Sequence, residues 1–123
     1  MILTIENNRI EPDIMVVKLS GRITLGRECQ RIEPLVDELV KQNERKVVFD
    51  LSAVDYIDSA GLGVITSCFG KLRRVEGQFR VGGAVNRVEE LFVLTQINTL
   101  IPTFPTLEEA LQGLGATGQA GAS

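Results

Sequence analysis

The chain has no histidine and no tryptophan. Without histidine there is no Ser-His-Asp triad, no Cys-His pair and no His-containing zinc site to look for. The two cysteines, Cys29 and Cys68, lack the CxxC spacing of a metal or redox centre and come with no secretory context. Both read as reduced thiols of a cytoplasmic protein. No apolar run approaches the roughly 20 residues of a membrane span, so no membrane partner is expected. The opening "MILTIENNRIEP" lacks the basic start and long apolar stretch of a signal peptide. Positive charge is not in excess either: the formal net charge is −3, which gives no electrostatic reason to bind nucleic acid. The basic cluster Lys71-Leu72-Arg73-Arg74 falls in an expected helix and reads as a solvated face, available to a partner interface.

What is present is the balance of an ordinary globular domain: 123 residues, 44% apolar and 24% charged, enough for a single core without disulfides or metal. Ile2-Leu3-Thr4-Ile5 and Ile14 to Leu19 read as two strands of a hairpin, joined by the polar "ENNRIEPD" and ended by Ser20-Gly21. From Arg27 to Gln42, Ile32, Leu35, Val36, Leu39 and Val40 follow helical spacing with one buried face. Pro34 either sits in the first turn of that helix, starting near Glu33, or kinks it. Lys46 to Ser52 is a nearly continuous apolar run, as in a central strand. Leu62, Ile65, Phe69 and Leu72 mark a second helix, ended by Gly77, with Cys68 beside the stripe as a small buried hydrophobe. "QFRVGG" is a short strand, and Val85, Val88, Leu91 and Phe92 mark a third helix. "TLIPTF" is a last strand, whose Pro102 suits an edge. Thr106 caps a final short helix carrying Leu107, Ala110 and Leu111. Residues 113–123, Gly- and Ala-rich, are expected to be a disordered tail after a domain spanning 1–112. Strands alternating with helices imply parallel crossovers, hence an α/β class with a mixed sheet.

The stretch "DYIDSAGLGVI", Asp55 to Ile65, places small and polar residues where a buried strand should hand over to a helix. It is not a phosphate cradle. The GxxxxGK[ST] and GxGxxG patterns are absent, and Asp58 would compete with a phosphate for the helix-terminal amides. No nucleotide cofactor is expected. Nor is it the GxSxG elbow of a serine hydrolase, which also needs a base. Capping of the helix by Asp58 or Ser59, worth about 1 kcal/mol, accounts for one polar residue. It leaves Gly61 and Gly63 unexplained, each costing roughly 1 kcal/mol against alanine in a helix. Glycines there leave the first turn bare, so that another surface can approach. They are expected to serve docking more than folding, with Gly61→Ala keeping its stability.

"VVFDLSAVDYIDSAGLGVI", Val47 to Ile65, closely resembles the signature of the STAS family, the anti-sigma factor antagonists and the related domains of sulphate transporters. The context is similar too: Ser20-Gly21 after a strand, an amphipathic helix, then DSxGLG after an apolar strand. Downstream, "VNRVEELFVLTQINTLIPTF" resembles the family's third helix and last strand, so that the likeness spans residues 2 to 112. The resemblance implies a small mixed β-sheet with about four helices packed mainly on one side. It implies a non-enzymatic, partner-switching regulator. In the antagonists, the serine after the motif's aspartate is phosphorylated by an anti-sigma factor that is itself a serine kinase. By position that serine is Ser59, flanked by Asp58, Ala60, Gly61, Leu62 and Gly63 as the docking surface. The unphosphorylated domain would capture the kinase, phosphorylation would release it, and a phosphoserine phosphatase would reset it. Many antagonists carry an acidic turn where this chain has Gly21-Arg22-Ile23-Thr24, and the resemblance places that loop beside Ser59, with Arg22 and Thr24 facing the partner. Two other readings are a scaffold subunit of a larger signalling assembly and a STAS domain that binds an anion, nucleotide or lipid.

Overall fold

The computed structural model describes residues 3–10 and 12–114. Ile2 and the expected tail from residue 115 onward lie outside the described residues. One five-stranded sheet runs in chain order, β1-β2-β3-β4-β5. The first pair, β1 (Thr4–Ile10) and β2 (Ile14–Ile23), is the expected antiparallel hairpin, and every later pair is parallel. The polar stretch read as a connector is mostly strand. Glu6 to Arg9 belong to β1, an edge strand whose exposed side chains face water, so the apolar alternation that marks a strand is missing.

A second difference concerns Ser20-Gly21, which does not end β2. Gly21 takes φ of 100°, and the register against the next strand shifts between Lys18 and Ser20 and again between Gly21 and Arg22. Glycine adopts that φ without a Cβ penalty, so the strand bulges and resumes. Arg22 and Ile23 are therefore strand residues, opposite Tyr56 and Ile57 of β3 (Lys46–Ile57). β3 itself runs past Ser52 to Ile57 because β2 still pairs with it, although its pairing with β4 (Gln78–Gly82) stops at Asp50.

Val47, Phe49 and Leu51 alternate with Val48 and Asp50, so β3 feeds two faces. The larger core packs the first face under α1 (Ile32–Lys41), α2 (Ser59–Arg74) and α3 (Asn86–Leu94), through Val36 and Leu39, Ile65 and Leu72, and Phe92. A single turn of 3-10 helix, Cys29–Arg31, precedes α1, and Pro34 lies in the first turn of α1, where a missing N–H leaves no broken bond. On the opposite face, α4 (Leu107–Leu111) covers Ile14, Val16 and Val48. The expected last strand is reduced to β5 (Thr103–Phe104), since Ile97–Thr99 forms a 3-10 turn.

The domain does not stop at residue 112. Leu114 is fully buried in the α4 core, and its carbonyl accepts from Lys46 Nζ at 3.0 Å. Arg80 Nη1 donates to the carbonyls of Ala110 at 3.1 Å and Gln112 at 2.7 Å, closing the end of α4. One leucine in a glycine-rich stretch is enough to extend the fold by two residues. The basic cluster is only partly a solvated face: Leu72 is core, and Lys71 Nζ lies 3.0 Å from Asp37 and 3.5 Å from Glu33, tying α2 to α1.

Candidate functional site

The hand-over from β3 to α2 is organised by Asp58. Its backbone is still extended, and its N–H donates to the carbonyl of Ile23 at 3.2 Å, the last rung between the two segments. Its carbonyl already accepts from Leu62 N–H at 3.0 Å, the first bond of the helix. Its carboxylate then joins two parts of the chain. Oδ1 accepts from Gly61 N–H at 2.9 Å, capping α2, and Oδ2 accepts from Leu25 N–H at 3.1 Å, pinning the turn after β2. The cap is Asp58, not Ser59. Partial desolvation pushes the Asp58 carboxyl up, but the N–H donors of Gly61, Leu25 and Ala60 together outweigh it and hold the group below its ordinary value.

Ser59 is the first residue of α2 and is exposed. Among the described residues its hydroxyl makes no hydrogen bond. Both oxygens of the adjacent carboxylate accept from backbone amides.

The glycines behind it divide. A Cβ on Gly61 would stand 2.4 Å from the carbonyl oxygen of Ile23 and 2.9 Å from Ile57 Cγ1. Gly61 is therefore a packing residue that lets the first turn of α2 press on the end of β2, and the expectation that it serves docking is corrected. Leu62 is likewise turned inward, at 6% exposure within the main core, so its side chain is not part of the presented face. Gly63 is exposed, and a Cβ there would meet nothing within 4 Å. Of the block, Ser59 and Gly63 face outward, and Asp58 and Ala60 are half-buried. Upstream, the structure does bring Arg22 to Thr24 to the site through the Ile23–Asp58 and Leu25–Asp58 bonds. Thr24 is half-buried, whereas Arg22 is exposed with its guanidinium 4.4 Å from the centroid of the Tyr56 ring.

Two residues at this site escaped the sequence reading. Leu25 is 76% exposed beside Asp58, and Tyr56 is 36% exposed under Arg22. A leucine in the polar turn two residues after the strand end was the available signal for the first. Tyr56 is the chain's sole tyrosine, on the outward side of a strand.

The thiols add no nucleophile. Burial pushes the Cys68 thiol up to about 12, with Glu33 adding to it. Burial also raises Cys29, as do the charges of Asp58 and Glu33. Both stay protonated and unreactive near neutral pH. Among the described residues no group of three potential metal ligands occurs, and no helix is long and apolar enough to cross a membrane.

The family model of the STAS domain matches residues 7–110. The chain belongs to the STAS domain family. Among curated relatives, a candidate anti-sigma factor antagonist of Thermotoga neapolitana is 32% identical over 104 residues, which span 85% of this chain and 92% of that one. The crystal structure of an anti-sigma factor antagonist from Mycobacterium paratuberculosis superposes on this STAS domain with a TM-score of 0.79 at 28% identity, covering 89% of this chain and 91% of that one. The Bacillus cell fate determinant SpoIIAA, in its phosphorylated form, superposes with a TM-score of 0.71, covering 90% of this chain and 99% of that one. At 15% identity that likeness is one of fold. The fold expected for a STAS domain, a small mixed sheet with helices mainly on one side, is the fold observed, α4 being the helix on the other face.

Proposed function

We propose that this STAS domain is the phosphorylatable component of a cytoplasmic partner switch. Unphosphorylated, it binds an anti-sigma factor that is a serine kinase and thereby frees a sigma factor. Phosphate on Ser59 ends the complex, and a phosphoserine phosphatase restores it. The domain itself catalyses nothing. The observation that carries this reading is Ser59: an exposed hydroxyl without a hydrogen bond among the described residues, at the first position of a helix capped by the adjacent carboxylate. Further support comes from the anti-sigma factor antagonists to which the chain is similar, and from SpoIIAA, which exists in unphosphorylated and phosphorylated forms on this fold. The dipole of α2 favours an anion at its N-terminus, so a phosphate on Ser59 is tolerated within the domain.

The direct test is phosphotransfer. Incubated with ATP and the anti-sigma factor kinase of its own organism, the protein should gain one phosphate, located by mass spectrometry on Ser59 and abolished in Ser59→Ala. Phosphate on Ser52 or Thr66 instead would overturn the assignment.

A further inference from the structure

The sheet face that carries α4 holds a charge that the switch does not use. Asp50 is only 6% exposed, and Val48, two residues before it on that face, is core. A buried carboxylate is costly unless its charge is met, and among the described residues Asp50 has no ion pair. Its Oδ1 accepts from Ser52 N–H at 3.0 Å and from Ser52 Oγ at 2.7 Å, where β3 parts from β4. Oδ2 accepts from no described residue. Because no fully buried side-chain oxygen among the described residues lacks a partner, Oδ2 is still reached from outside. The opening is a cavity of about 240 Å³ beside α4, which Asp50 lines.

Strand register sets the rest of the lining in rows. Glu6 of β1 lies opposite Lys18 of β2, and Lys18 opposite Asp50 of β3, so that one row reads acid, base, acid. Side chains paired across strands share a face and stand about one strand spacing, roughly 4.8 Å, apart. Lys18 therefore has a carboxylate on each side, yet among the described residues none of the three is in an ion pair. In the next row Asn8 lies opposite Val16. Val16 is the buried floor, packed with Leu107 of α4 in the smaller core, and Ile10 and Leu107 flank it.

Size and charge order together define the ligand. The cavity is smaller than the roughly 300–1,000 Å³ of sites for drug-sized molecules, so it suits a compact one. Asp50 Oδ2 takes a cationic donor, while Lys18 and the Asn8 amide take an anionic acceptor beside it. The apolar row takes a short hydrocarbon. A lone cation would leave Lys18 facing a like charge, and a lone anion would meet two carboxylates. We propose that this cavity binds a free aliphatic α-amino acid, with its ammonium on Asp50 and Glu6 and its carboxylate on Lys18. The side chain then lies over Val16, between Ile10 and Leu107. The cavity is on the opposite face of the sheet from α2, and its occupancy does not rest on the partner-switch reading.

The test titrates L-leucine into the isotopically labelled full chain and follows it by amide NMR. Leucinamide, which lacks the carboxylate, and isocaproate, which lacks the ammonium, serve as the comparison probes. L-Leucine at millimolar concentration should shift the amides of Lys18, Asp50 and Leu107 and bind at least fivefold more tightly than either analogue. Lys18→Met, at an exposed position, should weaken leucine at least fivefold and remove its advantage over leucinamide. Asp50→Asn should weaken leucine and leucinamide alike, at least fivefold, with its fold checked by the spectrum of the free protein. Should that variant not fold, Glu6→Gln on the exposed edge strand tests the ammonium side and should weaken both at least twofold. No shifts, shifts centred elsewhere, or equal binding of leucine and leucinamide to the wild type would overturn the site. So would tighter binding of leucinamide than of leucine, because the occupant would then be a simple cation, such as a lysine side chain of a partner.

Discussion

Gly61 and Gly63 sit two residues apart in one helical turn and have opposite physical roles. At Gly61 a methyl group would run into a backbone oxygen at 2.4 Å, a neighbour that cannot swing aside. Gly61→Ala should therefore lower stability by about 1–3 kcal/mol, as overpacking does, with a melting temperature reduced by several degrees. Gly63→Ala meets open space and should be neutral or stabilising by up to roughly 1 kcal/mol. Thermal melts of the two variants side by side distinguish them, and equal melts would refute the packing role. Asp58 gives a second residue-scale expectation. Its carboxyl titrates below the ordinary carboxylate value in the fold because of its amide donors. The unfolded chain, with a value of about 3.9, takes up the proton first as the pH falls. The contribution of Asp58 is thus fully present above that value and is lost as the pH drops through the folded one. Asp58→Ala should cost about 0.5–2 kcal/mol at pH 7, the usual range for a lost cap. The gap from wild type should narrow below about pH 4, measured by urea denaturation across the pH range.

At the scale of elements, α4 shows how a short helix is held. Thr106 Oγ1 accepts from Glu109 N–H at 3.1 Å at one end, Arg80 binds the carbonyls of Ala110 and Gln112 at the other, and Leu114 plugs the apolar layer beneath. Leu114→Ala should cost about 2 kcal/mol, the scale of burying one leucine. Hydrogen exchange of residues 107–112 should rise in the same variant. No change in either would place the end of the fold back at residue 112. The elements also show what could be read in the chain. α1, α2 and α4 were legible, because burial on one helix face leaves a stripe at three- and four-residue spacing, and Thr106 carries a capping side chain. The ends of β2 and β3 were not. Past Asp50, β3 has a partner on one side only, so Ser52, Asp55 and Tyr56 face water and the apolar run that announces a strand breaks off. In β2, Gly21 looked like a terminator because its positive φ is a property of the bulge, which depends on β3 being present. The same gap concealed the packing role of Gly61, since the oxygen it must clear belongs to Ile23, distant in sequence and brought there by that extended strand.

For the whole molecule, the fold places a modifiable hydroxyl on a rigid frame. Ser59 follows a strand in the middle of the sheet, and the residues around it are pinned to β2 and α2 by Asp58. A phosphate adds about −1.5 to −2 charges, which the start of α2 can accommodate, so the domain has no reason to refold. A partner is affected differently, because Asp55 and Asp58 already make this end acidic. A single partner carboxylate about 6 Å from the phosphate gives a repulsion of roughly 1–5 kcal/mol for effective dielectrics between about 80 and 20. With each 1.4 kcal/mol worth about tenfold in affinity, even the smaller value weakens a micromolar complex severalfold. The most direct measurement is titration calorimetry of the anti-sigma factor kinase against the unphosphorylated and the Ser59-phosphorylated protein. Affinity is expected to fall by about tenfold or more on phosphorylation, with Ser59→Ala binding like the unphosphorylated form. Equal affinity for the two forms would contradict the switch.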